Sequence, residues 1–149
     1  MKKEDRLKAA FELIESEPVI VEMDRSVFFS GGKNRKDAHI FCRENPGYSS
    51  ILMTRVWKRL KEGGFFKHND EYTSDDVWQV RNFACRKFCL AASGNVIVFS
   101  RLKPQVLPRG TFFDLELSEL FANDKVSTIN QMPKEDFILS VNRPDLLLS

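Results

Sequence analysis

Apolar residues recur at helical spacing through the first ninety residues of the chain. Leu7, Phe11 and Ile14 fall on one side of a helix predicted over residues 3–16, which ends before Pro18. Three more helices are predicted where a polar capping residue precedes such a pattern: from Asn34 to Arg43, from Ser49 to Gly63, and from Thr73, with Asp76 three residues on, to Ser93.

Short apolar runs, most of them in the second half, predict the sheet. Residues 26–29 form one run, closed by Ser30-Gly31-Gly32, and residues 96–99 form another, which is too short for a helix and predicts a central buried strand. After a loop around Pro104, residues 125–129 and 137–141 are expected to form sheet edges or short helices. The predicted class is α+β, with helices mainly in the N-terminal half and a small central sheet in the C-terminal half.

The segment from Gly110 to Leu117 alternates in polarity. Phe113, Leu115 and Leu117 would share one face of a strand, and Phe112, Asp114 and Glu116 the other. A carboxylate in such a pattern usually belongs to the solvated face of a half-buried strand, and only the rest of the chain can give it a chemical role.

Length and composition are those of one soluble domain over residues 1–149. No signal peptide and no membrane-spanning run is recognisable, so the chain is expected to act in the cytoplasm. Cys42, Cys85 and Cys89 have no disulfide or zinc-ligand spacing with His39 or His68, so neither a metal nor another cofactor is expected.

Charge is distributed unevenly along a chain whose formal net charge is +2. Residues 33–87 hold twelve basic and seven acidic side chains, whereas residues 105–149 hold four basic and seven acidic ones. A basic middle suits a phosphate-bearing ligand, although such runs more often only aid solubility.

Four segments, in this order, resemble a known family. They are Val27-Phe28-Phe29-Ser30-Gly31 with Asp37-Ala38-His39-Ile40-Phe41; Ser50-Ile51-Leu52-Met53-Thr54; Trp78 with residues 84–98; and Thr111-Phe112-Phe113-Asp114-Leu115-Glu116-Leu117. Together they resemble the ADP-ribosyl cyclase and NAD glycohydrolase superfamily, including its bacterial toxin domains that act inside cells. The resemblance covers about residues 27–129.

The resemblance implies cleavage of the bond between nicotinamide and ribose in NAD(P)+. Glu116 would be the catalytic carboxylate that stabilises an oxocarbenium-like centre. Phe29 and Trp78 would stack on the cationic nicotinamide ring. Ser30, Arg81, Thr111 and Phe112 would contact the rest of the substrate, with Thr111 and Phe112 at its phosphates or ribose. Lys33 is a further candidate for pyrophosphate.

Two departures from the family pattern affect the expected activity. Leu52 and Met53 stand where the family usually has Glu and Asp, and the interval from Trp78 to Phe88 is three residues longer than usual. Because cyclisation demands a closely shaped pocket, hydrolysis is expected over cyclisation. The same departures leave open a catalytically weakened or inactive relative that serves as a ligand-binding or protein-binding module.

A different class of function also remains open. Residues 49–66 are similar to the recognition helix and turn of a winged-helix protein that binds nucleic acid, although the acidic C-terminal third disfavours an extended phosphate-binding surface. For an active NAD(P)+ glycohydrolase, in contrast, NAD depletion would be toxic and would imply an immunity or inhibitor protein, with neither a membrane nor nucleic acid as partner.

Overall fold

The computed structural model describes residues 2–101 and 107–148. The α-helices in these ranges are α1 (Lys3–Ser16), α2 (Gly32–Glu44), α3 (Arg55–Glu62), α4 (Ser74–Ala91), α5 (Leu117–Ala122) and α6 (Lys134–Ser140). The strands are β1 (Val27–Phe29), β2 (Gly94–Phe99), β3 (Val126–Ile129) and β4 (Met132–Pro133). The predicted α+β class is confirmed, whereas the predicted loop around Pro104 lies outside the described residues.

The four strands form one sheet in the order β1-β2-β3-β4. Strand β2 pairs in parallel with β1, where Val27 lies opposite Ile97, and in parallel with β3 on its other side. The short strand β4 pairs with β3 in the antiparallel direction. The run at residues 96–99 is therefore an interior strand, as its continuous apolar character predicts.

A tight contact fixes the start of β2. Gly94 has a φ of +70°, and a Cβ atom at this position would lie 2.1 Å from Oδ1 of Asp24. The same Asp24 oxygen accepts a hydrogen bond from the backbone N–H of Asn95 at 2.6 Å. Both the positive φ and the close approach require glycine here.

Helix capping agrees with the sequence at α4 and differs at α3. The backbone N–H of Thr73 donates to Oδ2 of Asp76 at 2.7 Å, and the N–H of Asp76 donates to Oγ1 of Thr73 at 3.4 Å, which completes the predicted capping box. Before α3, residues 51–53 form a 3-10 turn. Thr54 then caps α3 by accepting from the N–H of Trp57 at 3.2 Å, so the predicted cap at Ser49 or Ser50 is wrong.

The segment predicted as a strand at residues 110–117 is helical, which corrects that prediction. A π-helical turn covers Phe112–Glu116 and continues directly into α5. Phe112, Phe113, Leu117 and Leu120 are all buried at helical spacing, so helical packing overrides the local alternation. Residues 137–141, left open between sheet edge and short helix, lie mostly in α6.

The core lies between α4 and the sheet and positions the segments around it. Val80, Ala84 and Phe88 on α4 are fully buried, and the ring of Phe28 on β1 packs 5.1 Å from that of Phe88. Phe112 on the π-turn packs against the same cluster, with its ring centre 6.2 Å from that of Phe28. The π-turn is thus held next to the carboxyl end of β1.

Candidate active site

A cavity of about 470 Å³ opens at the carboxyl end of β1. Its walls come from β1 and the start of α2, the 3-10 turn, α3, α4, and the segment from Arg109 to the π-turn. Its volume lies within the range of about 300–1,000 Å³ that is usual for small-molecule sites. Ligands of open sheets with parallel strands commonly bind beyond the carboxyl ends of the strands.

Seven of the residues singled out from the sequence line this one cavity. They are Phe29, Ser30, Trp78, Arg81, Thr111, Phe112 and Glu116. They come from three separate stretches of the chain, which only the fold brings together.

The π-turn places the Glu116 side chain in the cavity wall. The N–H of Leu117 bonds to the carbonyl of Phe112, five residues back, which is the wider hydrogen-bond ring of a π-helix. Such single π-turns occur frequently at functional sites. Glu116 is the last residue of the turn, and its side chain lines the cavity together with those of Phe112 and Thr111.

Glu116 is almost completely buried, with 6% of its surface exposed. Burial raises the pKa of its carboxyl group to about 8, from an ordinary value of 4.5. Among the described hydrogen bonds and ion pairs, none ends on the carboxylate oxygens of Glu116. The carboxylate is therefore available to a ligand. A cationic group that enters the cavity would stabilise its ionised form by coulombic attraction.

Two thiols of α4 lie near this carboxylate. Burial raises the pKa of Cys85 and of Cys89 well above the usual range, and the charge of Glu116 raises both further. Cys85 lines the cavity, and Cys89 donates a weak 3.9 Å hydrogen bond to the backbone carbonyl of Glu116. Both thiols are thus held neutral, so they act in packing rather than as nucleophiles.

One face of α4 supplies another part of the cavity wall. Trp78, Arg81, Cys85 and Phe88 follow each other at intervals of three and four residues, and all four line the cavity. Trp78 remains 48% exposed, which leaves its ring open to contact at the mouth. The guanidinium of Arg81 lies 5.1 Å from the ring centre of Phe66, and its buried Nε has no hydrogen-bond partner in the described chain.

The aromatic residues that line the cavity differ in how deeply their side chains are buried in the core. Phe112 is 1% exposed and packs against Phe113 at 5.1 Å, so it forms a fixed wall. Phe29 is half-buried and both lines the cavity and packs on the core. Trp57, on α3, is a further lining aromatic that the sequence did not single out; its ring lies 4.5 Å from that of Phe66.

Two arginines that line the cavity were not singled out from the sequence. Arg35 and Arg109 line the cavity, whereas Lys33, the candidate for pyrophosphate, is not among its lining residues. Arg35 lies near the N-terminal end of α2, where its N–H bonds to the carbonyl of Gly31 at 2.9 Å. Helical spacing carries a signal here, because Arg35 lies three residues before the buried Ala38 and on the same side of α2, whereas Lys33 lies five residues before it and on another side.

Leu52 gives the cavity an apolar corner. It lines the wall from the 3-10 turn, at the position where the resembled family usually has Glu. Met53, the next residue, is 38% exposed and lies outside this cavity. Glu116 is consequently the only carboxylate among the described residues that line the cavity.

Within residues 2–101 and 107–148, no three His, Cys, Asp or Glu side chains are grouped so that they could hold a metal ion. Over the same ranges, no helix has both the length and the apolar character needed to cross a bilayer.

Comparison with solved structures identifies the fold. An ADP-ribosyl cyclase complexed with N1-cIDPR superposes on 79% of this chain with a TM-score of 0.57 and 16% identity, over 52% of its own length. An Aplysia cyclase complexed with substrate NGD and product cGDPR matches 78% of this chain and 51% of its own, with a TM-score of 0.56 and 16% identity. The chain thus spans about half the length of these cyclases.

Porcine CD38, complexed with a covalent ribo-F-ribose-5'-phosphate intermediate, is similar over more of both chains. It matches 93% of this chain and 81% of its own, with a TM-score of 0.59 and 16% identity. No protein-family model matches the sequence, and no curated protein sequence does so either. The chain therefore has the fold of the ADP-ribosyl cyclases and CD38, at a sequence distance where the fold alone is shared.

Proposed function

We propose that the protein is an NAD(P)+ glycohydrolase, which uses water to cleave the nicotinamide–ribose bond and releases nicotinamide, ADP-ribose or its 2′-phosphorylated form, and a proton. The observation that supports this most directly is Glu116, a nearly buried carboxylate in a cavity that also holds three arginines. The fold shared with NAD-processing enzymes supports the same class of substrate.

Glu116 is proposed as the catalytic group. Nicotinamide leaves as a neutral molecule because its ring nitrogen is cationic in the substrate, so no strong general acid is required. Positive charge then develops at the ribose carbon, where a carboxylate in a site of low dielectric stabilises it electrostatically or covalently. Water attacks the same carbon, and its proton is released.

The raised pKa of Glu116 favours a cationic substrate. Without a bound substrate the carboxyl group, with a pKa of about 8, is mostly protonated at neutral pH. A nicotinamide ribosyl group that carries positive charge favours the ionised form as it binds. The free energy of ionisation is thus linked to the binding of the group that is to be cleaved.

The remaining lining residues match the rest of the substrate. Arg35, Arg81 and Arg109 supply planar donors for a pyrophosphate, with the hydroxyl groups of Ser30 and Thr111 as further donors. Trp78, Trp57 and Phe29 present rings for the nicotinamide, and a cation over such a ring gains about 0.5–2 kcal/mol. Phe112 forms a water-excluding wall beside the carboxylate.

Hydrolysis is proposed over cyclisation. Cyclisation requires the adenine to fold back onto the ribose, which demands a closely shaped pocket with polar groups that hold both ends. The apolar side chain of Leu52 supplies no polar group to hold the substrate, and the exposed ring of Trp78 leaves that part of the pocket less closely shaped. The main product is therefore expected to be linear.

Release of nicotinamide tests the proposal. NAD+ and NADP+ are incubated with the parent protein and with Glu116→Gln, and nicotinamide and the ribosyl products are separated by chromatography. Loss of one catalytic carboxylate should lower kcat by about 100-fold or more. Glu119→Gln is the matched control, because Glu119 lies three residues on, pairs with Arg86 at 3.2 Å and does not line the cavity.

The outcomes separate the alternatives. Absence of nicotinamide release by the parent at high protein concentration would overturn the enzymatic proposal and favour a binding module. Equal activity of the parent and Glu116→Gln would remove Glu116 from the mechanism. A salt-sensitive shift of duplex DNA by the parent, without nicotinamide release, would favour the winged-helix hypothesis instead.

Toxicity and an inhibitor partner belong to this proposal too. An enzyme that consumes NAD(P)+ with water as its co-substrate would deplete the NAD(P) of a cytoplasm in which it accumulates. Expression of the parent, but not of Glu116→Gln, should then slow the growth of a bacterial host and lower its NAD(P) content. Equal growth and equal NAD(P) content at matched protein levels would contradict the toxin hypothesis and with it the need for an immunity protein.

A further inference from the structure

A second cavity adjoins the candidate active site and is basic. Its volume is about 580 Å³, and Gly32, Arg35 and Leu52 line both cavities. The remaining lining residues are Lys36, His39, Met53 and Lys58. A ligand that fills the first cavity can therefore extend past Arg35 into the second.

The basic side chains converge from two helices. Arg35, Lys36 and His39 lie at positions i, i+1 and i+4 of α2, and Lys58 faces them from α3. Among the described residues, none that lines this cavity is acidic. Such a one-sign concavity attracts a compact anion.

These basic side chains are not used by internal ion pairs of the described chain. On the same helix as Lys58, Arg55 and Arg59 both pair with Glu17, at 3.1 and 2.6 Å. In contrast, no ion pair within residues 2–101 and 107–148 involves Arg35, Lys36 or Lys58. The protein thus keeps these donors available next to the candidate active site.

We propose that the second cavity binds the 2′-phosphate of NADP+, so that the protein prefers NADP+ to NAD+. The inference rests on the proposed function, since it assigns the substrate of the same site. NADP+ differs from NAD+ by one phosphate on the adenosine ribose, at the end of the molecule opposite the nicotinamide. A cluster of Lys, Arg and His donors recognises such a group, and removal of that phosphate leaves the cluster without a partner.

The ratio of kcat/KM for NADP+ over NAD+ measures this preference. The parent ratio should be about tenfold or more, as expected for several charge-assisted contacts on an exposed phosphate, and should fall as salt is raised. Lys36→Gln with Lys58→Gln should lower kcat/KM for NADP+ by about tenfold and leave that for NAD+ within about twofold. Lys33→Gln with Lys61→Gln is the matched control: it removes the same charge from the same two helices, and neither residue lines either cavity.

Binding without turnover separates this inference from the proposed function. Titration calorimetry measures the affinity of the protein for 2′,5′-ADP and for 5′-AMP. It requires no catalysis, so it is informative even if the protein releases no nicotinamide. Tighter binding of 2′,5′-ADP, lost in the Lys36/Lys58 variant and kept in the Lys33/Lys61 control, would support the 2′-phosphate site. Equal affinity for the two nucleotides, or equal weakening in both double variants, would overturn it, as would inorganic phosphate binding as tightly as 2′,5′-ADP.

Discussion

Arg143 donates a hydrogen bond from Nη1 to Oδ1 of Asp114 at 2.9 Å. Asp114 lies two residues before Glu116 in the chain. The same Nη1 also donates to the carbonyls of Pro108 and Phe113, both at 3.1 Å. Arg143 is itself buried, and its other edge pairs with Asp145. The C-terminal segment thus fixes the entry to the π-turn that carries the proposed catalytic carboxylate.

Replacement of Arg143 by Met should loosen this turn. Three acceptors at the entry to the turn and the carboxylate of Asp145 lose their donor. The free energy of unfolding should therefore fall by about 2 kcal/mol or more, and kcat for nicotinamide release should fall about tenfold at a temperature where the variant is folded. Thermal denaturation and steady-state kinetics check the two effects. Arg86→Met, at an exposed arginine paired with Glu119, is the control. Unchanged kcat in Arg143→Met would show that the turn holds its geometry without this contact.

The rate should depend on the ionisation of Glu116. Since its pKa in the free protein is about 8, kcat/KM should rise with pH and level off above pH 8. The corresponding rise in kcat should lie at lower pH, because a bound cationic substrate favours the carboxylate. Initial rates between pH 5.5 and 9.5 at constant ionic strength measure both profiles. A flat kcat/KM over this range would mean that Glu116 is not the group whose ionisation controls the reaction.

Burial of Glu116 should also appear in the stability of the protein. The folded state holds the proton up to a pKa of about 8, whereas the unfolded chain releases it near 4.5. The carboxyl group therefore costs nothing below pH 4.5 and destabilises the folded state progressively as the pH rises to 8, by at most about 5 kcal/mol. Glu116→Gln should unfold at a higher denaturant concentration than the parent at pH 8, and the difference should shrink at pH 5. An equal difference at the two pH values would contradict the raised pKa.

Gly94→Ala tests the contact at the start of β2. A methyl group would meet Asp24 at 2.1 Å, and the backbone φ of +70° is itself unfavourable for alanine. We expect a loss of about 2 kcal/mol or more in the free energy of unfolding, measured by denaturant titration. Gly32→Ala is the comparison, because a Cβ there would meet nothing within 4 Å. If both variants were equally stable, the contact between Gly94 and Asp24 would not constrain the start of β2.

Much of the architecture could be predicted from the sequence because it depends on local patterns. The capping box of Thr73 and Asp76, the helix over residues 3–16 and the apolar run at residues 96–99 each have a physical cause within a few residues. The order of the segments around Phe29, Trp78 and Glu116 also indicated one common site. All three side chains line the same cavity.

The conformation of the Glu116 segment was decided by tertiary packing. Residues 113, 115 and 117 alternate as in a strand, while residues 112, 113, 117 and 120 are apolar at helical spacing, so the sequence supports both. Phe112 packs against Phe28 and Phe137, which are distant in the chain, and this packing selects the helix with its π-turn.

By itself the sequence determined the α+β class and most element positions, because helical spacing, capping and apolar runs are local. It also indicated seven of the residues that line the cavity, but not Trp57, Arg35 or Arg109. Only the tertiary structure decided that Glu116 is buried with a raised pKa, that Arg35 rather than Lys33 lines the cavity, and that a basic second cavity adjoins it. Burial and the convergence of charges depend on contacts between distant segments, which local patterns do not specify.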